Sequence, residues 1–329
     1  MNAREILHGL GQMSALVVGD ICLDRWCTYD PALSQPSRET GIPRTAVTST
    51  VVTAGAGGTV ANNLVALGTG RVTILGAVGD DGSGMELLRA LARNRISVEL
   101  TVKAPNFNTF TYTKLINART GMEDLPRVDF VYNAPLPADV EAQLIHSLDS
   151  FVNAFDVILV SDQAETETCG VVTPLMRQCL QKLAAGHPEK VIWVDSRMRP
   201  EHFRGVIVKP NRDEAEQACL RRFGRVDLGL LHQEIGGEFL LVTEGQDGVA
   251  VVNSAGETRV PTRPVAAPVD ICGAGDSFSA GAALAYAITR SPVDAARFGN
   301  IVASITIMKK GTGTASPEEV LAAEASWPV

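Results

Sequence analysis

An aspartate, Asp276, stands directly behind the small-residue turn Gly273-Ala274-Gly275 and in front of an alanine-rich run. Such a turn points backbone N–H groups outward, and the helix behind it adds about half a unit of positive charge at its start. The position is therefore suited to an anion, yet it also holds a carboxylate. An anion beside an acid is what phosphoryl transfer requires: the amides offset the charge of the moving group, and Asp276 takes the proton of the accepting hydroxyl.

Two further segments carry groups suited to a polyol. Asp20 and Asp24 lie at the end of an apolar run, where carboxylates can accept hydrogen bonds from adjacent hydroxyls. Asp24 taken alone is equally consistent with an ordinary turn residue. Gly57 and Gly58 would let a ligand reach the backbone at a helix start, and Asn62 could bond a hydroxyl. Tight strand-to-helix packing is the alternative explanation for this glycine cluster.

The second half of the chain holds a candidate metal and nucleotide region. Asn211 and Glu214, three residues apart at a helix start, could hold a hydrated Mg²⁺. The same spacing is an ordinary helix cap, and on residue types alone the cap is favoured. Thr243, Gly245 and Gly248 form a predicted strand-turn-strand whose glycines would let phosphate and ribose lie against the main chain.

Composition excludes several classes of protein. The 329 residues are 45% hydrophobic and 20% charged, which indicates a folded chain and excludes extended disorder. A net charge of −8 without a basic cluster argues against a nucleic-acid partner. Apolar runs are too short for a signal peptide or a membrane span, and six cysteines without C-x-x-C pairs indicate neither zinc nor disulfides. We expect a cytoplasmic protein with a small-molecule partner.

Short apolar runs alternate with helical patterns along most of the chain. This alternation predicts an α/β fold, a three-layer α/β/α sandwich with a mostly parallel central sheet. Sites in such folds gather at the carboxyl ends of the strands. The predicted strands are Ala15–Asp20, Val72–Val78, Asp156–Val160, Val191–Asp195, Val206–Lys209, Phe239–Thr243 and Val249–Val252. The predicted helices are Thr59–Leu67, Met85–Asn94, Ala138–Ala154, Val171–Ala185, Arg212–Cys219, Asp276–Ile288 and Val293–Met308.

Two segments break this rhythm. Thr45–Thr53 and Asn108–Ala118 alternate polar and apolar residues, a period of two that suits a half-exposed sheet. We predict a small β lid built from about residues 21–55 and 104–130, inserted in a single domain of residues 1–329. Exposed lid strands offer a sheet edge, so a homodimer through the lid is expected.

Six segments in order carry a resemblance to a known family. The chain resembles the PfkB carbohydrate kinases of the ribokinase-like superfamily over nearly its full length. The strongest likeness is between DICGAGDSFSAG and the signature sequence in the C-terminal part of that family. The matching segments are GAGGTVANN (55–63), GAVGDDGSG (76–84), KPNRDE (209–214), TEGQDG (243–248), DICGAGDSFSAG (270–281) and KKGTGTAS (309–316).

The resemblance implies ATP as phosphoryl donor, Mg²⁺, and transfer to a sugar hydroxyl. By position, Asp276 matches the general base, and the amides of Gly273, Ala274 and Gly275 match the anion hole. Asp24, Gly58 and Asn62 match substrate-binding positions, to which we add Asp20 and Gly57. The implied positions for metal, phosphate and nucleotide are Asn211, Glu214, Thr243, Gly245, Gly248 and Asn300.

A monovalent-cation loop is also implied. Gly311–Ser316 and the Asp270-Ile271 segment resemble such a loop, and their glycines and hydroxyls could supply oxygen ligands. We name Asp270, Ile271 and Ser316 as candidate ligands of K⁺, and Gly311 as a neighbour of the nucleotide.

The sugar is less well specified than the family. GDICLDRW (19–26), with Ser37–Pro43 downstream, looks most like the heptose 7-phosphate kinase branch. Arg25 and Arg38 could then bind a phosphate that the substrate already carries, or they could be solvated or paired with acids. Asp-Ser-Arg from position 195 departs from the Asp-Pro-Lys of that branch. Heptose phosphate is the leading substrate, with ribose, fructose phosphate and nucleosides left open.

Other functions fit less well. A sugar- or nucleotide-binding regulator that has lost turnover is disfavoured by the intact Gly-Ala-Gly-Asp turn. A dinucleotide-dependent oxidoreductase needs G-x-G-x-x-G after the first strand, where the chain has GDICLD. A P-loop kinase is excluded because the chain has no Gly-Lys dipeptide.

Overall fold

A computed structural model describes residues 2–165 and 169–326 of the chain. In chain order, the strands are β1 Ser14–Gly19, β2 Ile21–Tyr29, β3 Val47–Ala56, β4 Arg71–Leu75, β5 Ala77–Gly79, β6 Val102–Ala104, β7 Thr111–Asn117, β8 Val128–Phe130, β9 Val157–Asp162, β10 Val191–Ser196, β11 Ile207–Val208, β12 Leu240–Thr243, β13 Val249–Asn253 and β14 Gly256–Val260. The helices are α1 Ala3–Leu10, α2 Gly57–Ala66, α3 Gly82–Arg93, α4 Ala138–Phe151, α5 Pro174–Gly186, α6 Arg212–Phe223, α7 Leu228–Ile235, α8 Ala274–Thr289, α9 Pro292–Thr306 and α10 Pro317–Ala325.

An eight-stranded sheet in the order β14-β13-β12-β11-β10-β9-β1-β4 forms the middle layer. Within this sheet the six neighbouring strands β12, β11, β10, β9, β1 and β4 are parallel, whereas β13 and β14 form an antiparallel edge. Every residue of β9 and of β10 is buried, as expected for parallel strands covered on both faces. The predicted fold class, a three-layer α/β/α sandwich around a mostly parallel central sheet, is confirmed.

Each face of this sheet carries its own hydrophobic core. Successive side chains of a strand point to opposite faces, so Val17 joins one core while Leu16 and Val18 join the other. Helix α8 is almost entirely buried and packs on the first face together with α1, α2 and α9. Helices α4 to α7 contribute to the second core.

A second sheet of four strands, in the order β3-β2-β7-β8, lies beside the first, and we call it the lid. Strand β2 pairs parallel with β7 and antiparallel with β3, and β7 pairs antiparallel with β8. A single residue, Asp20, separates β1 from β2, so the chain passes directly from the central sheet into the lid. That residues 1–329 form one domain stays a prediction.

The structure also shows where the sequence patterns were incomplete. Helix α5 begins at Pro174, not at Val171, because the Thr173 side chain accepts the amide of Met176 and caps it there. Helices α1, α7 and α10 were not predicted, since each is short and its packing is decided by distant elements. Strand β14 was missed because its exposed sequence lacks a period-two pattern.

Candidate active site

The turn before α8 leaves backbone amides available to an anion. Gly273 has a φ of 77°, a left-handed conformation that favours glycine, and no side chain caps the helix. The amide of Ala274 donates to the carbonyl of Ile271 at 3.2 Å, so it is satisfied within the turn. Among the residues that the structure describes, the amides of Gly273, Gly275 and Asp276 have no hydrogen-bond partner. This set differs by one residue from the predicted one.

Asp276 lies in the first turn of α8 and is half-buried. Burial and the neighbouring Asp195 together raise its pKa to about 7, against the opposing effect of Lys209. Near neutral pH the carboxyl group therefore exchanges a proton readily. A general base with a pKa close to the working pH is well matched to accept a proton from a hydroxyl.

A buried ion pair lies under this turn. Lys209 Nζ is 2.6 Å from Asp195 Oδ2, and both residues are buried. The Ser279 hydroxyl, one turn into α8, donates to the same oxygen at 3.1 Å. A Cβ atom at position 275 would lie 3.2 Å from Lys209 Nζ, a tight contact that a larger residue would make with the ion pair. The ion pair thus packs beneath the turn, and its two charges act in opposite directions on the pKa of Asp276.

Asn211 and Glu214 form the reciprocal helix cap that their spacing indicates. The Asn211 side chain accepts the Glu214 amide at 2.9 Å, and Glu214 Oε2 accepts the Asn211 amide at 2.7 Å. Burial raises the pKa of Glu214, and Asp195 adds to the rise. The other carboxylate oxygen, Oε1, has no hydrogen-bond partner within residues 2–165 and 169–326. A capped helix start with one spare carboxylate oxygen fits a hydrated Mg²⁺, which needs few protein ligands.

A cavity of about 330 Å³ lies directly beside the turn. It is lined by Ala274 and Gly275 on one side and by the β12-β13 connection on the other. The Asn300 carboxamide donates to the carbonyl of Pro261 at 3.3 Å, which holds it at the cavity wall. Four of the residues expected around a nucleotide line this space, namely Thr243, Gly245, Gly248 and Asn300, whereas Gly311 does not.

Asp20 is buried at the joint between the two sheets. Its two carboxylate oxygens accept the amides of Gln163 and Val171, at 2.9 and 2.7 Å. Burial, with nearby Asp162, raises its pKa to about 6. Asp20 lines a second cavity of about 240 Å³ together with Tyr112 of the lid. Its carboxylate is therefore occupied in holding the joint, and a direct substrate contact stays a prediction.

Asp24 projects from β2 beside this region. Burial raises its pKa to about 6, while Lys114 and then Arg127 oppose the rise. A Cβ at Gly55 would lie 2.5 Å from Asp24 Oδ2, so the glycine makes room for the carboxylate. The Cys22 thiol donates to Asp24 Oδ1 at 3.8 Å, which leaves the carboxylate able to accept hydrogen bonds from sugar hydroxyls.

Close packing between β3 and α2 accounts for the glycines at positions 57 and 58. The Gly57 amide donates to the Asp20 carbonyl at 2.9 Å, and a Cβ at Gly57 would lie 2.9 Å from that same oxygen. A Cβ at Gly58 would lie 2.5 Å from the Cβ of Ala54. Both positions need glycine for the close strand-to-helix connection, whether or not a ligand also approaches.

Three predicted substrate residues are placed elsewhere by the structure. The side chain of Asn62 accepts from Asn94, which follows the last turn of α3, at 2.8 Å. Arg25 lies next to Asp24 on β2 and so points to the opposite face, where it pairs with Glu86 of α3 at 2.7 Å. Arg38 is exposed in the segment between β2 and β3.

The predicted cation loop is held together mostly by its own hydrogen bonds. Asp270 accepts the amides of Cys272 and Gly311, at 2.9 and 3.1 Å, so the two segments do meet. Ser316 caps α10 by accepting the amide of Glu319 at 3.3 Å, which accounts for its hydroxyl without a cation. No group of three or more His, Cys, Asp or Glu side chains that could hold a metal occurs in the described part of the chain.

Sequence reasoning did not single out Asp195, Lys209, Tyr112 and Lys114. Lys209 stands two residues before Asn211 in a segment already noted, and a buried lysine after a strand needs an acidic partner. The period-two pattern of Asn108–Ala118 was the signal for the lid residues, because it places alternate side chains on one face.

Comparisons with known proteins find related sequences over most of the chain. The sequence profile of the family described as pfkB family carbohydrate kinase matches residues 14–319. The chain is 31% identical over 98% of its length to the bifunctional protein HldE of Pelobacter propionicus, and 32% identical over 97% to that of Trichlorobacter lovleyi. It spans 65% of the length of each of these relatives.

Solved structures share the fold. A ribokinase from Thermotoga maritima superimposes with a TM-score of 0.70 at 20% identity, covering 95% of this chain and all of the other. Phosphofructokinase-2 from Escherichia coli, solved with potassium, gives 0.73 at 20% identity, covering 95% and 99%. Within the described residues, no helix combines the length and apolar character needed to cross a membrane.

Proposed function

Because the chain belongs to the pfkB family of carbohydrate kinases, we propose that it transfers the γ-phosphoryl group of ATP to a hydroxyl of a sugar or sugar phosphate. The observation that carries the proposal is the open start of α8. Unpartnered amides and Asp276 lie there together, directly beside the cavity lined by Thr243, Gly245 and Asn300. Donor, anion site and base are therefore adjacent.

The residues at this turn divide the work of the reaction. The amides of Gly273, Gly275 and Asp276 donate to the oxygens of the moving phosphoryl group and offset its charge. The Asp276 carboxylate orients the accepting hydroxyl and takes its proton. Mg²⁺, held through water by Glu214, would offset the charge of the donor phosphates when bound. Asp24 accepts hydrogen bonds from the neighbouring hydroxyls of the sugar.

A heptose 7-phosphate is the acceptor that we favour. The support is the likeness of GDICLDRW and the Ser37–Pro43 segment to that branch, together with the HldE relatives. A ribokinase-, fructokinase- or nucleoside-kinase-type activity is the alternative. Potassium near Asp270 and Gly311 stays a prediction that assays in K⁺ or Na⁺ salts would check, as does the cytoplasmic location.

A homodimer through the lid completes the proposal. The two edge strands of the lid, β3 and β8, carry exposed apolar side chains, among them Val51 at 62% and Phe130 at 49% exposure. Unpaired edges with apolar side chains are prone to pair with a second chain. A second copy would cover both.

The test is an ADP-release assay with a panel of free and phosphorylated sugars. We expect ADP release that depends on one acceptor, and a product that carries one additional phosphate by mass spectrometry. ATP binding without phosphorylation of any sugar would refute the proposed function and favour a regulator that has lost turnover.

A further inference from the structure

One face of the lid is turned toward the active site. On β2 this face carries Asp24 and Trp26, and on the neighbouring β7 it carries Tyr112 and Lys114. Tyr112 lines the cavity that Asp20 also lines, and a Cβ at Gly311 would lie 3.5 Å from the Trp26 ring. The face therefore meets both the sugar region and the loop after α9.

Two cations, Lys114 and Arg127, lie on this face near Asp24. Lys114 pairs with Trp26 in the register of β7 with β2, and its Nζ lies over the Trp26 ring. Arg127 stands one residue before β8, whose register pairs Tyr112 with Asp129, and its guanidinium lies over the Tyr112 ring. Both cations oppose the rise in the pKa of Asp24, so both are within electrostatic reach of that carboxylate.

The two cations differ in how far the protein already neutralises them. Arg127 lies 5.0 Å from the centre of the Tyr112 ring and bonds Asp129 through Nε and Nη2, at 3.0 and 2.7 Å. Lys114 Nζ lies 4.2 Å over the Trp26 ring, and no carboxylate among the described residues forms an ion pair with it. An aromatic face attracts a cation without satisfying its three N–H donors, so the Lys114 ammonium is held in place but remains available.

An anion at this position would belong to the acceptor. The cavity assigned to the nucleotide is lined by residues from 243 to 307, none of them from the lid. Lys114 and Arg127 instead neighbour Tyr112, which lines the cavity that Asp20 also lines, and both act electrostatically on Asp24, which is placed to bind sugar hydroxyls. An anion bound to the lid cations would thus be attached to the molecule that Asp24 holds.

We propose that Lys114 and Arg127 bind a phosphate group that the acceptor sugar already carries, and so select sugar phosphates over free sugars. The inference rests on the proposed function, since it concerns the acceptor of that reaction. It replaces Arg25 and Arg38 in the same role, because Arg25 points to the other face of β2, where it pairs with Glu86, whereas Lys114 and Arg127 lie on the face of Asp24.

The test uses the full chain with matched pairs of acceptors, such as ribose and ribose 5-phosphate, fructose and fructose 6-phosphate, and a heptose with its 7-phosphate. The variants are Lys114→Met, Arg127→Gln and the double variant. Arg25→Gln is the matched control, because it removes a lid arginine from the opposite face of the sheet. Met and Gln keep much of the side-chain volume, so the lid strands should still form.

We expect each single variant to lower kcat/KM for the sugar phosphate by about 10- to 100-fold, mainly through KM, as for the loss of one charged hydrogen bond. The ratio of kcat/KM for phosphorylated to free sugar should fall accordingly. Activity on the free sugar and all values for Arg25→Gln should change less than about 3-fold. Equal losses on both acceptors would overturn the inference and indicate contact with the transferred group, and unchanged values would overturn it as well.

A binding measurement separates this inference from the proposed function. The thermal shift caused by sugar phosphate, in the presence of a nonhydrolysable ATP analogue, needs no turnover. We expect it to shrink in Lys114→Met and to persist in Arg25→Gln. A wild-type protein that binds the sugar phosphate without phosphorylating it would refute the proposed function alone. A shift unchanged in Lys114→Met would refute the inference alone.

Discussion

Replacing Asp276 by Asn should abolish most activity and at the same time stabilise the protein at alkaline pH. The carboxyl group accepts the hydroxyl proton, so the amide should lower kcat by about 100-fold or more with little change in ATP binding. Its neighbours Asp195 and Asp24 both disfavour the ionised form. The folded protein therefore carries a charge at this position that the unfolded chain tolerates better.

The size of the stabilisation follows from the two pKa values. The pKa of Asp276 is about 7 in the folded protein against 3.8 for the ordinary side chain. Because the folded value is raised, stability falls as the pH rises from about 4 to about 7 and stays lower above it. Ionisation of Asp276 lowers the free energy of unfolding by at most about 4 kcal/mol at pH 8 and by under about 2 kcal/mol at pH 5. Solvent reaching the half-buried carboxylate reduces both figures.

The assay compares melting temperatures of wild type and Asp276→Asn at pH 5 and pH 8, with kcat measured by ADP release. For a chain of this length we expect the variant to gain about 2–4 °C more at pH 8 than at pH 5. Asp139→Asn is the control, because Asp139 also lies in the first turn of a helix but is exposed. An equal gain at both pH values would refute the burial of the charge, and near-normal turnover would refute the base role.

Three further predictions test the surroundings of the turn and the lid. Wild-type kcat/KM should rise with pH and reach half its maximum near pH 7, where Asp276 ionises, and a profile flat from pH 5 to 9 would contradict this. Lys209→Met should destabilise the fold by about 3–5 kcal/mol in urea unfolding, because it leaves Asp195 buried without its partner; Lys209→Met combined with Asp195→Asn should recover part of the loss. Phe130→Asp should yield a monomer in light scattering at micromolar concentration if the wild type forms the proposed lid dimer, whereas a monomeric wild type would refute that dimer.

Much of the fold and of the reacting centre could be predicted from the sequence. Alternating strand and helix patterns predict a mostly parallel sheet, and the structure has one. The residues of the turn at 273–276 are neighbours in the chain, so their geometry follows from local rules: a left-handed glycine, a helix start and an acid in the first turn. The same holds for the cap formed by Asn211 and Glu214.

The faces of the lid could be predicted only in part. The period-two alternation of a strand predicts that Asp24 and Arg25 point to opposite sides of β2. It does not predict which side meets the active site. That side is decided by the packing of β2 against α3, where Glu86 binds Arg25. Lys114 and Arg127, on the side that remains, lie over the rings of Trp26 and Tyr112, which belong to different strands of the lid.

What the sequence determined by itself is therefore the chemistry within a few residues of each turn and cap. The contact of Lys209 with Asp195, the placement of Asn62 beside Asn94, and the choice of lid face depend on residues distant in the chain. Such contacts form only when whole layers pack, because burial, and not local backbone preference, decides which side of a strand or helix leaves the solvent.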